Sequence, residues 1–246
     1  MKYPTRAHLL LSTCLIYACD TGFEAEYIAC DEFAGVGTVP LANVVDLVPA
    51  DYTVIEPIPG QALVVAQSGS CDAIVAGGLS QPGIFAQFGV GVVPPLDPGN
   101  GDFYQLLFTT NHPKLAAHMH VAGVDARFSP QLSYTIDQTP QLSIEVPKPG
   151  ALAFDLEGPI TLPDPNSPAN PTTVFNYYAQ SPQGDNIQQQ NIVDGIRFGT
   201  GPGVTLSAVG SEMFDIVGGA GVLMFPFFSN PETFDLATVI VTPNAF

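Results

Sequence analysis

Leu132-Ser133-Tyr134-Thr135-Ile136-Asp137 alternates apolar and polar side chains, and Leu142-Ser143-Ile144-Glu145-Val146 repeats the alternation a few residues later. A period of two puts successive side chains on opposite faces of a strand, so this stretch predicts two half-buried strands. Working outward, seven more runs have strand length and composition: 61–66 (QALVVA), 86–93 (AQFGVGVV), 103–108 (FYQLLF), 174–179 (VFNYYA), 204–208 (VTLSA), 222–228 (VLMFPFF) and 236–241 (LATVIV). The 24 Gly and 24 Pro fall largely between these runs, where turns need them. Ser68-Gly69-Ser70 reads as one such turn, and 162–173 (LPDPNSPANPTT), with four Pro, reads as a surface loop.

Helix signals are few. Residues 113–122 start with Pro113 in the first turn and stop at Gly123, with Asn111 placed to cap them. Residues 211–217 begin with Ser211 as the cap and end at Gly218-Gly219, and 41–48 form a short segment before Pro49. The fold class is α+β, mostly β, in a single domain with two or three short helices.

Residues 1–19 have the parts of a secretory leader. Lys2 and Arg6 precede a mostly apolar run, 8–18, of the ~7–15 residues expected, too short for a membrane span of ~20. Leu15-Ile16-Tyr17-Ala18-Cys19 resembles a bacterial lipobox, with Tyr17 where a small residue is usual, so Cys19 is the candidate lipidation site. This predicts an exported protein: a lipoprotein of periplasm, outer membrane or cell surface, or a secreted one, touching membrane only through that anchor. Cys30 and Cys71 then remain, and an even pair in an oxidising compartment reads as one disulfide. The organisation is a leader over 1–19, an N-terminal extension over 20–40 tied on by the disulfide, and a β-rich domain over 41–246.

From Cys19 onward four basic residues face 23 acidic ones, a formal charge of −19. Nucleic-acid binding needs Lys and Arg to displace counterions from phosphates, so it is excluded as a function. With 46% hydrophobic and 12% charged residues, the chain has the means to bury a sizeable core.

The order of elements resembles the acetoacetate decarboxylase-like superfamily. Val45-Asp46-Leu47-Val48-Pro49 followed by 60–66 is similar to that family's opening helix, Pro and first long strand. Residues 104–108 and then 115–123 (LAAHMHVAG) are similar to its strand and small-residue segment ending in Gly. Residues 211–218 and 234–241 are similar to its closing helix and strand. The resemblance implies a curved antiparallel sheet or cone-like barrel around an apolar cavity. It also implies a lysine reached through a Pro-Lys step, forming a Schiff base with a keto acid. The corresponding stretch here is Arg127-Phe128-Ser129-Pro130-Gln131-Leu132, and Gln131, an amide, cannot form an imine. Pro113-Lys114 supplies a Pro-Lys step, but in a helix first turn Lys114 reads as solvated, and Lys148, between Pro147 and Pro149, reads as a turn residue.

The remaining candidates are few. His112, His118 and His120 cluster, yet on a helix His118 and His120 point about 160° apart, so they read as polar residues of an amphipathic helix. No metal and no cofactor is called for. Gly199 to Gly203 (GTGPG) lacks the following Lys of a phosphate loop. Arg127 and Arg197, each beside a Phe at the edge of a strand, suit a bidentate grip on a ligand carboxylate, with a salt bridge to a protein acid as the structural alternative. Gln131, Glu56 and Tyr104 complete the candidate ligand-binding set. The leading function is binding of a small apolar or amphipathic molecule in a β-lined cavity, with 16 Phe and eight Tyr to line it. Two alternatives stand beside it. One is an enzyme on the same scaffold, of lyase or cyclase type, acting on a small carboxylate or ketone without the lysine. The other is an envelope or surface protein whose edges mediate assembly, including homo-oligomers.

Overall fold

The structure is a computed structural model that describes residues 22–95, 102–147, 152–219, 221–232 and 236–243. The leader, the lipobox with Cys19, and Lys148 lie outside the described residues. In chain order the strands are β1 (Phe23–Pro40), β2 (Thr53–Val54), β3 (Gln61–Ala76), β4 (Leu79–Val93), β5 (Asp102–Thr110), β6 (Ala126–Phe128), β7 (Ser133–Ile136), β8 (Gln141–Val146), β9 (Phe154–Pro159), β10 (Thr173–Gln180), β11 (Asn186–Val193), β12 (Gly199–Thr200), β13 (Val204–Ala208), β14 (Val222–Ser229) and β15 (Leu236–Pro243). Helix α1 spans Pro113–Val121 and α2 spans Ser211–Val217, while Leu41–Asn43 and Val45–Leu47 form two 3-10 turns in place of the single short helix read over 41–48.

Seven strands close into a ring in the order β15, β11, β10, β5, β4, β3, β1, and β1 pairs back to β15. The sheet is mixed rather than purely antiparallel, because β10 runs parallel to β5 and β6 also runs parallel to β5. Ring closure depends on β1. Its first half, Phe23 to Ile28, pairs with β15, and its second half, Glu32 to Val36, pairs with β14, while β3 runs along its other edge. The switch falls at Ala29, which adopts φ 50, a conformation costly for a residue with a Cβ. Next to it, Cys30 and Cys71 lie directly opposite in the β1–β3 register and form the expected disulfide. The segment read as an extension is thus the longest described strand and a member of the ring.

From β14 a wing continues through β13, β9, β8 and β7 and covers the outer face of the ring. Phe88 on β4 meets Phe154 on β9 across this interface, with ring centroids 6.1 Å apart, inside the larger apolar core. The alternation that began the sequence reading places Leu142, Ile144 and Val146 in the same core. A second core fills one end of the lumen, where Leu115 and Met119 of α1 pack on Phe85, Phe108 and Val239.

Three local readings change. The cap of α1 is His112, whose Nδ1 accepts the Leu115 N–H at 3.0 Å, while Asn111 Oδ1 accepts from Ile84 N–H at 2.7 Å. Helix α2 starts after Gly210 with no side-chain cap, although it does end at left-handed Gly218. Ser68-Gly69-Ser70 is not a turn but the middle of β3. A Cβ at Gly69 would stand 2.5 Å from the Phe85 ring, so the glycine is there to admit the ring, and Ser68 Oγ donates to Phe85 O at 2.7 Å.

Because the disulfide joins residues 41 apart, removing it frees a long loop in the unfolded chain. The C30A/C71A variant should lose about 3–4 kcal/mol in chemical denaturation, with an unchanged far-ultraviolet dichroism spectrum at low denaturant. An unchanged midpoint would show that strand pairing alone holds β1.

Candidate functional site

Side chains that touch across non-adjacent strands define the lumen. Tyr27 on β1 stacks on Phe85 on β4 at 4.7 Å although β3 runs between them. Across the middle of the ring a ladder of amides ends on a carboxylate. Gln105 Nε2 donates to Gln87 Oε1 at 2.7 Å, Gln87 donates to Gln67, and Gln67 donates to Glu32. Tyr177 Oη, from β10, donates to Gln67 Oε1 across the lumen, and Gln189 Nε2 donates to Asn191 Oδ1 at 2.8 Å on the far side. All of these side chains are buried.

Each amide in the ladder donates toward Glu32, an arrangement that supports a negative charge there. Burial acts the other way and more strongly, pushing the Glu32 carboxyl up to about 7 while the Gln67 bond lowers it. The Tyr27 and Tyr177 hydroxyls are raised by burial first and by nearby Glu32 second. No ion pair to Glu32 occurs among the described residues. The lumen is therefore a filled, partly polar interior. Sequence reasoning missed this ladder. The available signal was amides at alternate strand positions, Gln189 and Asn191 on β11 and Gln67 and Gln87 within β3 and β4.

Open space lies outside the ring. A cleft of about 280 Å³ is lined by Leu107, Thr109, 127–131, Val146, Pro147, Leu152 and Ala153. Arg127, half-buried on β6, and Gln131, in the turn after it, therefore share one opening with an apolar wall. Arg127 Nη2 donates to Asp125 Oδ2 at 3.2 Å, an ion pair whose acid is 74% exposed. Such a pair is worth little and leaves the remaining guanidinium donors for other acceptors.

The other candidates stand elsewhere. Tyr104 is buried beside Tyr52, with ring centroids 5.4 Å apart, and lines a neighbouring cleft of about 200 Å³. Glu56 is exposed and accepts the Gly60 N–H at 2.8 Å, which fixes the turn before β3. Arg197 Nε donates to Ser167 O at 2.7 Å, tying the Pro-rich loop to the segment before β12. Lys114 is exposed on the first turn of α1. His112 is buried, and burial lowers its pKa. His118 packs on Phe23 at 5.4 Å, and no group of three His, Cys, Asp or Glu converges among the described residues.

No protein-family model matches the chain. No curated protein matches it. Solved structures do. The enduracididine biosynthesis enzyme MppR with HEPES bound superposes with TM-score 0.56 at 8% identity, over 90% of this chain and 86% of that one. Acetoacetate decarboxylase from Legionella pneumophila gives 0.56 at 12% identity, over 90% and 85%. MppR complexed with pyruvate gives 0.55 at 10% identity, over 99% and 97%. Identities this low establish a shared fold.

The raised Glu32 carboxyl makes a prediction about pH. The folded state holds this proton more tightly than the unfolded state, whose carboxyl titrates near the ordinary 4.5. The resulting stability is fully present below about pH 4.5 and is lost as pH rises through about 7. Asp31 shifts in the same direction, from burial and then from Asp72, so a difference measurement isolates Glu32. Thermal melts of wild type and E32Q should diverge between these pH values, with the variant gaining relative to wild type as pH rises. Parallel profiles would contradict the assignment.

Proposed function

We propose that this chain, whose fold is that of the acetoacetate decarboxylase-like superfamily, binds a small, largely apolar carboxylate in the cleft of Arg127 and Gln131. The observation that carries the reading is their convergence, with Leu107, Val146 and Leu152, on one opening of about 280 Å³. Ligand pockets are mostly apolar with a few placed polar groups, and this volume sits at the small end of their range of ~300–1,000 Å³. Arg127 supplies the charged fork for a carboxylate, and Gln131 supplies an amide that both donates and accepts.

Gln131 stands where the resemblance places the working lysine, so this reading replaces imine chemistry with reversible binding. The enzyme alternative draws on the named activities of the fold neighbours, among them acetoacetate decarboxylase. Among the described residues, its Schiff-base form would have to use Lys114, which is exposed. The leader and lipobox of the sequence support an exported location, with an anchor at Cys19. The Cys30–Cys71 disulfide fits an oxidising compartment, and no helix among the described residues is long and apolar enough to cross a membrane.

Isothermal titration of the mature chain with hexanoate checks the proposal. Binding is expected, and R127Q should weaken it about 10- to 100-fold, the range for a lost charge-assisted hydrogen bond, with R127K intermediate. Equal affinity in wild type and R127Q would sink the reading. Borohydride treatment with acetoacetate should leave the mass unchanged, whereas a stable adduct would favour the enzyme.

A further inference from the structure

The Arg127 cleft does not end at its own walls. Leu152 lines it and also lines a second cleft of about 190 Å³, formed with Asn43, Leu47, Leu106, Glu212, Asp215 and Ile216. The cleft at Tyr104 shares Leu107 with the first of these and Leu47 and Leu106 with the second. The three openings are therefore neighbours along the outer face of β5.

Local backbone geometry explains why leucines floor this route. The β4–β5 register passes from Phe88↔Leu107 to Gly89↔Gln105, which leaves Leu106 as an extra, unpaired residue in a bulge. Successive side chains of a regular strand face opposite sides, but here Leu107 lies in the larger apolar core and Leu106 packs against that same core. Leu106 then continues into the second cleft while Leu107 continues into the first. The ends of the route differ in charge. Arg127 marks one end, and Glu212 and Asp215, three residues apart on α2 and both exposed, mark the other. Asn43 Nδ2 donates to Ile216 O at 3.0 Å and ties the preceding 3-10 turn to that helix.

We infer that the site takes an extended aliphatic carboxylate, with its head at Arg127, its chain crossing Leu152 and Leu106, and a neutral or cationic far end beside Glu212 and Asp215. The inference rests on the carboxylate reading above and adds chain length and far-end charge to it. A chain too short to cross Leu152 gains nothing from the second cleft. A second carboxylate at the far end meets two like charges, and an ammonium meets two opposite ones. Both acids are solvated, so the discrimination is modest, roughly two- to fivefold at low ionic strength.

Calorimetric titration in low-salt buffer at pH 7 separates the cases. The probes are butanoate, octanoate, 8-aminooctanoate and octanedioate, against wild type, R127Q and E212Q/D215N. The expected result is affinity rising at least tenfold from butanoate to octanoate, with 8-aminooctanoate tightest and octanedioate weakest of the eight-carbon set. In E212Q/D215N that spread should collapse, and thermal melts of each variant confirm the fold. If butanoate and octanoate bind alike and R127Q weakens both, the cleft reading stands and the extended route is overturned. If octanedioate matches octanoate in wild type, the far-end assignment is overturned. If R127Q changes no probe, both readings fall together.

Discussion

One strand with two partners holds this molecule together. β1 gives its first half to β15, which closes the ring, and its second half to β14, which launches the wing. A strand cannot serve both without a bend, and the bend is at Ala29, in a backbone conformation that L-residues avoid. The Cys30–Cys71 bridge sits beside the strained residue and fixes β1 to β3 on the edge that does not change partner. The strain is local, while the pairing it permits covers six residues of β15 and five of β14.

Closure determines where binding is open. A ring of this size encloses an interior that side chains fill, and here they fill it: aromatics and α1 at one end, an amide ladder across the middle. In a chain with so few cations, Glu32 has no basic partner among the described residues and relies on Gln67 and protonation instead. Buried polar groups must be satisfied, and the ladder does this with neutral amides. The cleft proposed for binding lies where the ring, β6 and the end of the wing meet, around Arg127, Leu107 and Leu152. The neighbours share the overall fold, but the cleft reading rests on this chain's own side chains.

Sequence patterns exposed the strands whose packing is one-sided. Alternation at 132–137 and 142–146 marked β7 and β8, because the wing has one face in the core and one in water. The apolar runs marked β4, β5, β10, β13, β14 and β15 for the same reason of burial. Strand β11, which turns Gln189 and Asn191 into the polar part of the lumen, gave no such signal. β11 reads Asn-Ile-Gln-Gln-Gln-Asn-Ile-Val, and its amides look like surface until the ring closes over them. β1 carries acidic and small residues with no long apolar run, so it read as an extension. Gly69 read as turn punctuation when its purpose is room for Phe85. For the site, Arg127 and Gln131 were legible from the scarcity of cations and the family resemblance. Their shared cleft with Leu107 and Leu152 was not, since it joins residues brought close only by the fold.

Methyl-resolved nuclear magnetic resonance of the mature chain, titrated with octanoate, tests most directly whether the ligand sits outside a filled ring. The Leu107 and Leu152 methyls should shift with ligand, while Ile187 and Val239, which face the lumen, should stay in place. Shifts confined to Ile187 and Val239, with Leu107 and Leu152 unmoved, would contradict it and return the binding site to the interior.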